Sequence, residues 1–315
     1  KLIINDAYTE PARYWAYVRE SQEFELREGR RKAGYWKTSG VSRSSNDDPG
    51  EFVELELVNK IRPRVQKWKA ENYHNVTGTT RKILEYWRDK EQREYPFFFC
   101  QLEAVETAIW LTEASPSEKQ GIDLPSQPEG WQRQCLKMAT GTGKTVVMAM
   151  MIAWQALNKL ASTKDTRFSK NILVVAPGLT VKDRLRVLKP ERPDNFYQRF
   201  NVVPSSLWQE LLQAKIVVEN WHSLAPVNEN YGPKVEKKGP ESDEAFMRRV
   251  FSDFGSAKNI LVLNDEAHHC HRPSHEEDKE EQEKATIWIS GIDRIHRARG
   301  VLKTFDLTAT PFRPT

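Results

Sequence analysis

Three stretches in the second half of the chain, residues 171–177, 214–220 and 259–265, are nearly continuous runs of Val, Ile and Leu. They lack the in–out alternation of a strand with one wet face, so they predict strands buried on both sides, as in a parallel sheet covered by helices. A shorter run opens the set at residues 135–138, and residues 304–311 close it. Between residues 144 and 161 the pattern changes to a long, almost wholly apolar segment of helical length. Strands alternating with helices in this way predict an α/β fold, with ligands held at the carboxyl ends of the strands.

The first half reads differently. Residues 1–50 carry little helical periodicity. Gly29, Gly34, Gly40 and Gly50 mark turns, and residues 24–27 and 33–37 read as short strands. From Glu51 onward Phe52, Leu55, Val58, Ile61, Val65 and Trp68 recur at spacings of three and four, the stripe of an amphipathic helix, with Pro63 expected to kink or restart it. A second helix is predicted from about Thr80, and a third leads from the aromatic run at 97–99 to about Thr112. The Pro/Ser/Gly-rich stretch 115–130 and the charged stretches 226–244 and 272–284 read as surface connections. The division expected is a mixed α+β region over residues 1–90 and an α/β domain over 91–315.

Composition narrows the class. With 315 residues, 38% hydrophobic and 29% charged, the chain can bury a large core. The net charge of +4 permits a nucleic-acid partner without requiring one. Cys100, Cys135 and Cys270 are odd in number and scattered, as expected of reduced thiols in the cytoplasm. No apolar run has the length of a membrane span, no signal peptide is visible, and the start at Lys1 suggests a piece of a longer protein. Arg27, Arg30, Arg31 and Lys37 lie among Tyr35 and Trp36, making the first region a candidate contact for DNA backbone.

The chemistry concentrates in two places. Residues 138–145, Met-Ala-Thr-Gly-Thr-Gly-Lys-Thr, join a strand to a helix. Gly141 and Gly143 allow a tight turn whose N–H groups point inward, Lys144 adds a positive charge, and Thr145 places a hydroxyl on the first helical turn. With the partial positive charge of the helix N-terminus, this is a phosphate cradle of the P-loop type, with Met138 where a glycine is usual. Asp265 and Glu266 end the apolar run at 259–265, where an aspartate can hold Mg²⁺ and a glutamate can orient and deprotonate a water. His268, His269, Cys270, His271 and His275 cluster nearby, but without the paired spacing of a zinc site. Pro193 and Asp194 begin a nuclease-like motif that residues 213–215 do not complete, so a nuclease is expected outside this segment.

These motifs resemble helicase superfamily 2. Residues 138–145 are similar to its motif I, Asp265-Glu266-Ala267-His268 to its motif II of the DEAH type, and Thr308-Ala309-Thr310 to its motif III. Residues 176–178 and 220–223 resemble motifs Ia and Ib, and Gln101 resembles the upstream glutamine that reads adenine. The run from residue 97 to the Thr-Ala-Thr motif looks most like the Res subunit of type III restriction enzymes. The resemblance implies a RecA-like parallel sheet with helices on both faces, with ATP and Mg²⁺ as cofactors. Thr140, Gly141, Thr142, Gly143, Lys144 and Thr145 would hold the nucleotide, Thr145 and Asp265 the metal, and Glu266 would activate water. His268, Thr308 and Thr310 would couple the nucleotide to nucleic-acid grip. It further implies a translocase on duplex DNA within a restriction or phage-defence system, with a methyltransferase or specificity subunit as partner. A DEAH-type RNA helicase and a binding module with a vestigial nucleotide site are the alternatives. The second motor domain of the superfamily, which supplies arginine fingers, is absent from this chain. Residues 1–315 alone are therefore expected to bind nucleotide weakly and hydrolyse it slowly.

Overall fold

The computed structural model describes residues 3–18, 20–37, 51–89, 91, 93–125, 130–226, 241–272 and 279–309. Its contacts divide the chain into two compact units, one of residues 1–77, 94–125 and 312–315, the other of residues 78–93 and 126–311.

In the first unit, strands β1 (Arg13–Val18) and β2 (Glu23–Glu28) pair as an antiparallel hairpin, and β3 (Gly34–Lys37) pairs with β4 (Glu51–Glu54). The apolar stripe expected to be helical from Glu51 is thus strand at its start. Phe52 stacks edge-on against Trp36 across the β3/β4 ladder, with ring centroids 5.2 Å apart, and that cross-strand pair overrides the helical spacing. Helix α1 (Glu56–Ala70) then runs through Pro63 without a break. Only the rung that Pro63 cannot donate is lost, and burial of Ile61, Val65 and Trp68 outweighs it. Helix α3 (Phe99–Glu113) packs on α1. Arg30, read as a DNA-contact candidate, is bound to Glu103 at 2.6 Å and Glu10 at 3.2 Å.

The second unit is built on a five-stranded, all-parallel sheet of β5 (Gln132–Lys137), β6 (Asn171–Ala176), β7 (Lys215–Asn220), β8 (Ile260–Asp265) and β9 (Val301–Thr308), in the order β5-β9-β8-β6-β7. Helix α4 (Lys144–Ala161) covers one face, its Trp154 ring 6.5 Å from that of Phe305 on β9. Helix α2 (Gly78–Arg88) lies on α4, where Asn158 Nδ2 donates to Thr80 Oγ1 at 2.9 Å. Between β6 and β7 the chain forms α5 (Leu179–Leu185) and the single turns α6 (Phe196–Arg199) and α7 (Trp208–Leu211). The opposite face of the sheet carries α8 (Asp243–Val250) and α9 (Lys279–Arg299), packed through Phe246, Trp288, Ile289 and Ile292 against Val175, Val217 and Val262. Helix α9 begins inside a stretch whose charges read as a loop. Those charges form its wet first turns, while Ala285, Trp288 and Ile292 are buried beneath. Helices on both faces of a parallel sheet, with a glycine loop between the first strand and α4, make the RecA-like arrangement expected.

Candidate nucleotide site

The glycine loop leaves β5 as an extension of the sheet. The backbone N–H of Met138 donates to the Thr308 carbonyl of β9 at 2.9 Å, and the Met138 side chain is buried. A large residue is tolerated in place of glycine because the backbone there is still ladder and the side chain fills the core. The turn itself comes later, at Gly141 (φ 81°) and Gly143 (φ 79°), a conformation that residues with a Cβ adopt only under strain. A Cβ placed on Gly141 would meet nothing within 4 Å, so the loop borders open space, as a cradle for phosphate requires. Thr142 Oγ1 closes the turn on the Ala139 carbonyl at 2.6 Å, and Thr140 is exposed on the rim. Gly143 caps α4 without a side-chain cap, and its carbonyl already accepts the Val146 and Val147 N–H groups, which leaves those of Lys144 and Thr145 to meet a ligand. Lys144 and Thr145 open the helix.

Asp265 and Glu266 stand at the carboxyl end of β8, two strands away from β5. The Lys144 ammonium lies 2.9 Å from Glu266 Oε1. Glu266 sits in the left-handed region (φ 47°, ψ 48°), uncommon for a residue with a side chain. Asp265 is 8% exposed. Burial, and next the neighbouring Glu266 charge, push its carboxyl up to about 6, with Lys144, a backbone N–H and Arg184 of α5 working the other way. A carboxylate held this reluctantly gains from a cation, and Asp265 and the Thr145 hydroxyl are the residues that would hold a divalent metal here.

After the acids the chain makes a short turn. His268 Nδ1 lies 2.9 Å from Thr308 Oγ1 on β9 and 3.5 Å from Glu266 Oε2. His269 Nδ1 meets Glu281 of α9 at 3.0 Å, and Cys270 is fully buried. Among the described residues no group of three or more His, Cys, Asp or Glu side chains could hold a metal ion. His275 lies outside the described residues, as does Thr310.

The structure therefore brings the loop residues 140–145 together with Asp265, Glu266, His268 and Thr308 at one end of the sheet. Gln101 is in the other unit, buried in the first turn of α3, where its Oε1 accepts the Phe98 N–H at 2.9 Å. The turns following β6 and β7 are tied to each other: Trp221 Nε1 donates to the Pro177 carbonyl at 3.1 Å, and Lys182 of α5 pairs with Glu219 at 2.7 Å. Three residues escaped the sequence reading. Arg133, Asn264 and Asp306 form a polar line across β5, β8 and β9. Polar residues inside otherwise apolar parallel strands were the available signal.

Comparison with protein families finds a match over residues 94–313 to the family described as Type III restriction enzyme, res subunit. No curated protein matches the chain. Among the described residues no helix is long and apolar enough to cross a membrane.

Proposed function

From the chain's membership of the type III restriction enzyme res-subunit family, we propose that it is the ATP-hydrolysing half of a motor that translocates on double-stranded DNA. An ATP-dependent nucleic-acid motor is what the family implies; duplex DNA as the track, and restriction or phage defence as the setting, are our extension. The observation that supports the reading is the 2.9 Å contact between Lys144 and Glu266, which joins the glycine-loop cation to the acids at the end of β8.

Bound ATP and Mg²⁺ would supply the transferable phosphoryl group and the charge that neutralises it. The roles proposed for the chain's own residues are these. Lys144 and the free N–H groups at the start of α4 bind phosphate oxygens. The Thr145 hydroxyl and Asp265 would hold the metal. Glu266, released from Lys144 when phosphate takes its place, accepts a proton from the attacking water. His268 bonds Thr308 on β9 through Nδ1 and lies 3.5 Å from Glu266, so it would carry a change at the nucleotide to the neighbouring strand. DNA and a methyltransferase or specificity subunit are the proposed partners.

The test is ATPase activity of the full-length protein with duplex DNA, single-stranded DNA and RNA in turn. Duplex DNA is expected to stimulate most, and Lys144→Ala to abolish turnover with every partner. Stimulation by RNA and not by duplex DNA would replace the DNA motor with an RNA helicase. Turnover unchanged by Lys144→Ala would remove the nucleotide site.

A further inference from the structure

The turn that carries Glu266 and His268 is fastened to the sheet at two points, and only one of them lies in the motifs. The first is the bond between His268 and Thr308. The second is a continuous polar line on the α9 face of the sheet. Trp288 Nε1 of α9 donates to Asn264 Oδ1 at 3.1 Å, and Asn264 Nδ2 donates to Asp306 Oδ1 at 2.7 Å. Arg133 of β5 donates through Nε to Asp306 Oδ2 at 2.6 Å and through Nη2 to the Cys270 carbonyl.

Register explains why these groups meet. Asp306 is paired with Asn264 on one side and with Cys135 on the other, so the three share a face, and Arg133, two residues before Cys135, shares it too. Asn264 is fully buried and Asp306 is 4% exposed. Placing a carboxylate and an amide there is expensive unless each is bonded. Both Asp306 oxygens have a donor, and the guanidinium spends a further N–H on the end of the turn.

We propose that Arg133 and Asp306 are positioning residues for the acids of β8: they clamp the Cys270 end of the turn to β5 and β9 and thereby fix Glu266 and His268. The strand that carries the clamp, β5, is the one that leads into the glycine loop. One guanidinium therefore ties together the two walls of the nucleotide pocket. Glu266 needs such support because its left-handed backbone persists only where the surroundings determine it. Neither residue touches nucleotide or water in this role. The catalytic consequence rests on the nucleotide-site reading above; the clamping does not.

The experiment separates the two. In the full-length protein, Arg133→Met, Arg133→Lys and the double variant Arg133→Met/Asp306→Asn, which leaves no charge stranded, are compared with wild type. Backbone hydrogen exchange is read in the segment 264–272 and in α4. The expected result for Arg133→Met and the double variant is exchange faster by at least about tenfold in the segment and within about twofold in α4. Arg133→Lys, which can reach one of its two acceptors but not both, falls between. ATP turnover is read alongside. A misplaced Glu266 is expected to lower kcat by about 10²-fold, with KM for ATP within about twofold. Unchanged exchange at 264–272 in the double variant overturns the clamp whatever the ATPase does. Faster exchange with unchanged kcat overturns the positioning of Glu266. Loss of the nucleotide-site reading would appear elsewhere, as turnover that survives Lys144→Ala.

Discussion

The Lys144 ammonium and Glu266 Oε1 are 2.9 Å apart, so the glycine-loop cation is paired with an acid of β8. On the proposed reading, a phosphate oxygen at Lys144 would displace that carboxylate and make it available to water. Glu266→Gln weakens the competing pair while leaving the phosphate donors intact. It is expected to bind ATP at least as tightly as wild type while turnover falls by about 10²-fold or more. Equilibrium binding of a fluorescent ATP analogue and steady-state hydrolysis check the two halves. Unchanged turnover in the full-length protein would mean that the site is vestigial.

Asp265 makes a separable contribution to stability. Its carboxyl is raised from 3.8 to about 6 in the folded chain. Between these values the unfolded chain has released the proton that the native state keeps. Stability therefore falls as pH rises through that window, and the loss is complete by about pH 7, amounting to at most about 3 kcal/mol. Asp265→Asn removes the ionisation. Without metal or nucleotide it should match wild type near pH 4 and melt several degrees higher at pH 8. A thermal melt at both pH values decides it. A variant equally or less stable at pH 8 would show that burial does not disfavour the charged form.

How far the sequence could be read follows from where burial is two-sided. Strands β6, β7 and β8 were legible because parallel strands under helices on both faces must be continuously apolar. The edge strand β5, Gln132–Lys137, is polar at four of its six positions and is legible only through the glycine loop that follows it. The motif residues Lys144, Asp265 and Glu266 announced themselves by type and position at strand ends, and the structure brings them together. Arg133, Asn264 and Asp306 did not. A polar residue within a strand looks like a wet-face residue until the register shows three of them side by side. Strand β4 was mistaken for the start of a helix because Phe52 also fits a spacing of three to Leu55; the decisive contact, with Trp36, is long-range. Pro63 misled for a related reason, since tertiary burial of α1 outweighs one missing rung.

At Gly291, α9 comes close to the turn after β7. A Cβ at this position would stand 2.5 Å from Leu224 Cβ. Neither atom can swing away, because each is fixed to its backbone. Gly291→Ala should therefore be destabilising by about 1–3 kcal/mol, despite the better helix propensity of alanine. Ser290→Ala, one residue away on the exposed side, should change stability by less than about 0.5 kcal/mol. Urea denaturation of the pair provides the check. The midpoint of Gly291→Ala is expected to fall with its slope unchanged. Equal midpoints for the two variants would mean that the helix can shift at no cost.

In the first unit, neighbouring arginines should behave in opposite ways. Arg30 is held between Glu103 and Glu10, and its guanidinium lies 5.2 Å from the Phe99 ring centroid. Arg31 is exposed. An arginine engaged with two carboxylates has little to offer a phosphate, so Arg30→Ala should lower stability, by about 1–3 kcal/mol, while leaving the salt dependence of DNA binding as it was. If this surface contacts DNA backbone, Arg31→Ala should leave stability within about 0.5 kcal/mol and reduce the slope of log affinity against log salt by about 1. Binding titrations of the full-length protein at several salt concentrations, paired with denaturation curves, distinguish these outcomes. A slope reduced by Arg30→Ala would show that its ion pairs open to bind phosphate. A slope unchanged by both would place the DNA contact elsewhere in the protein.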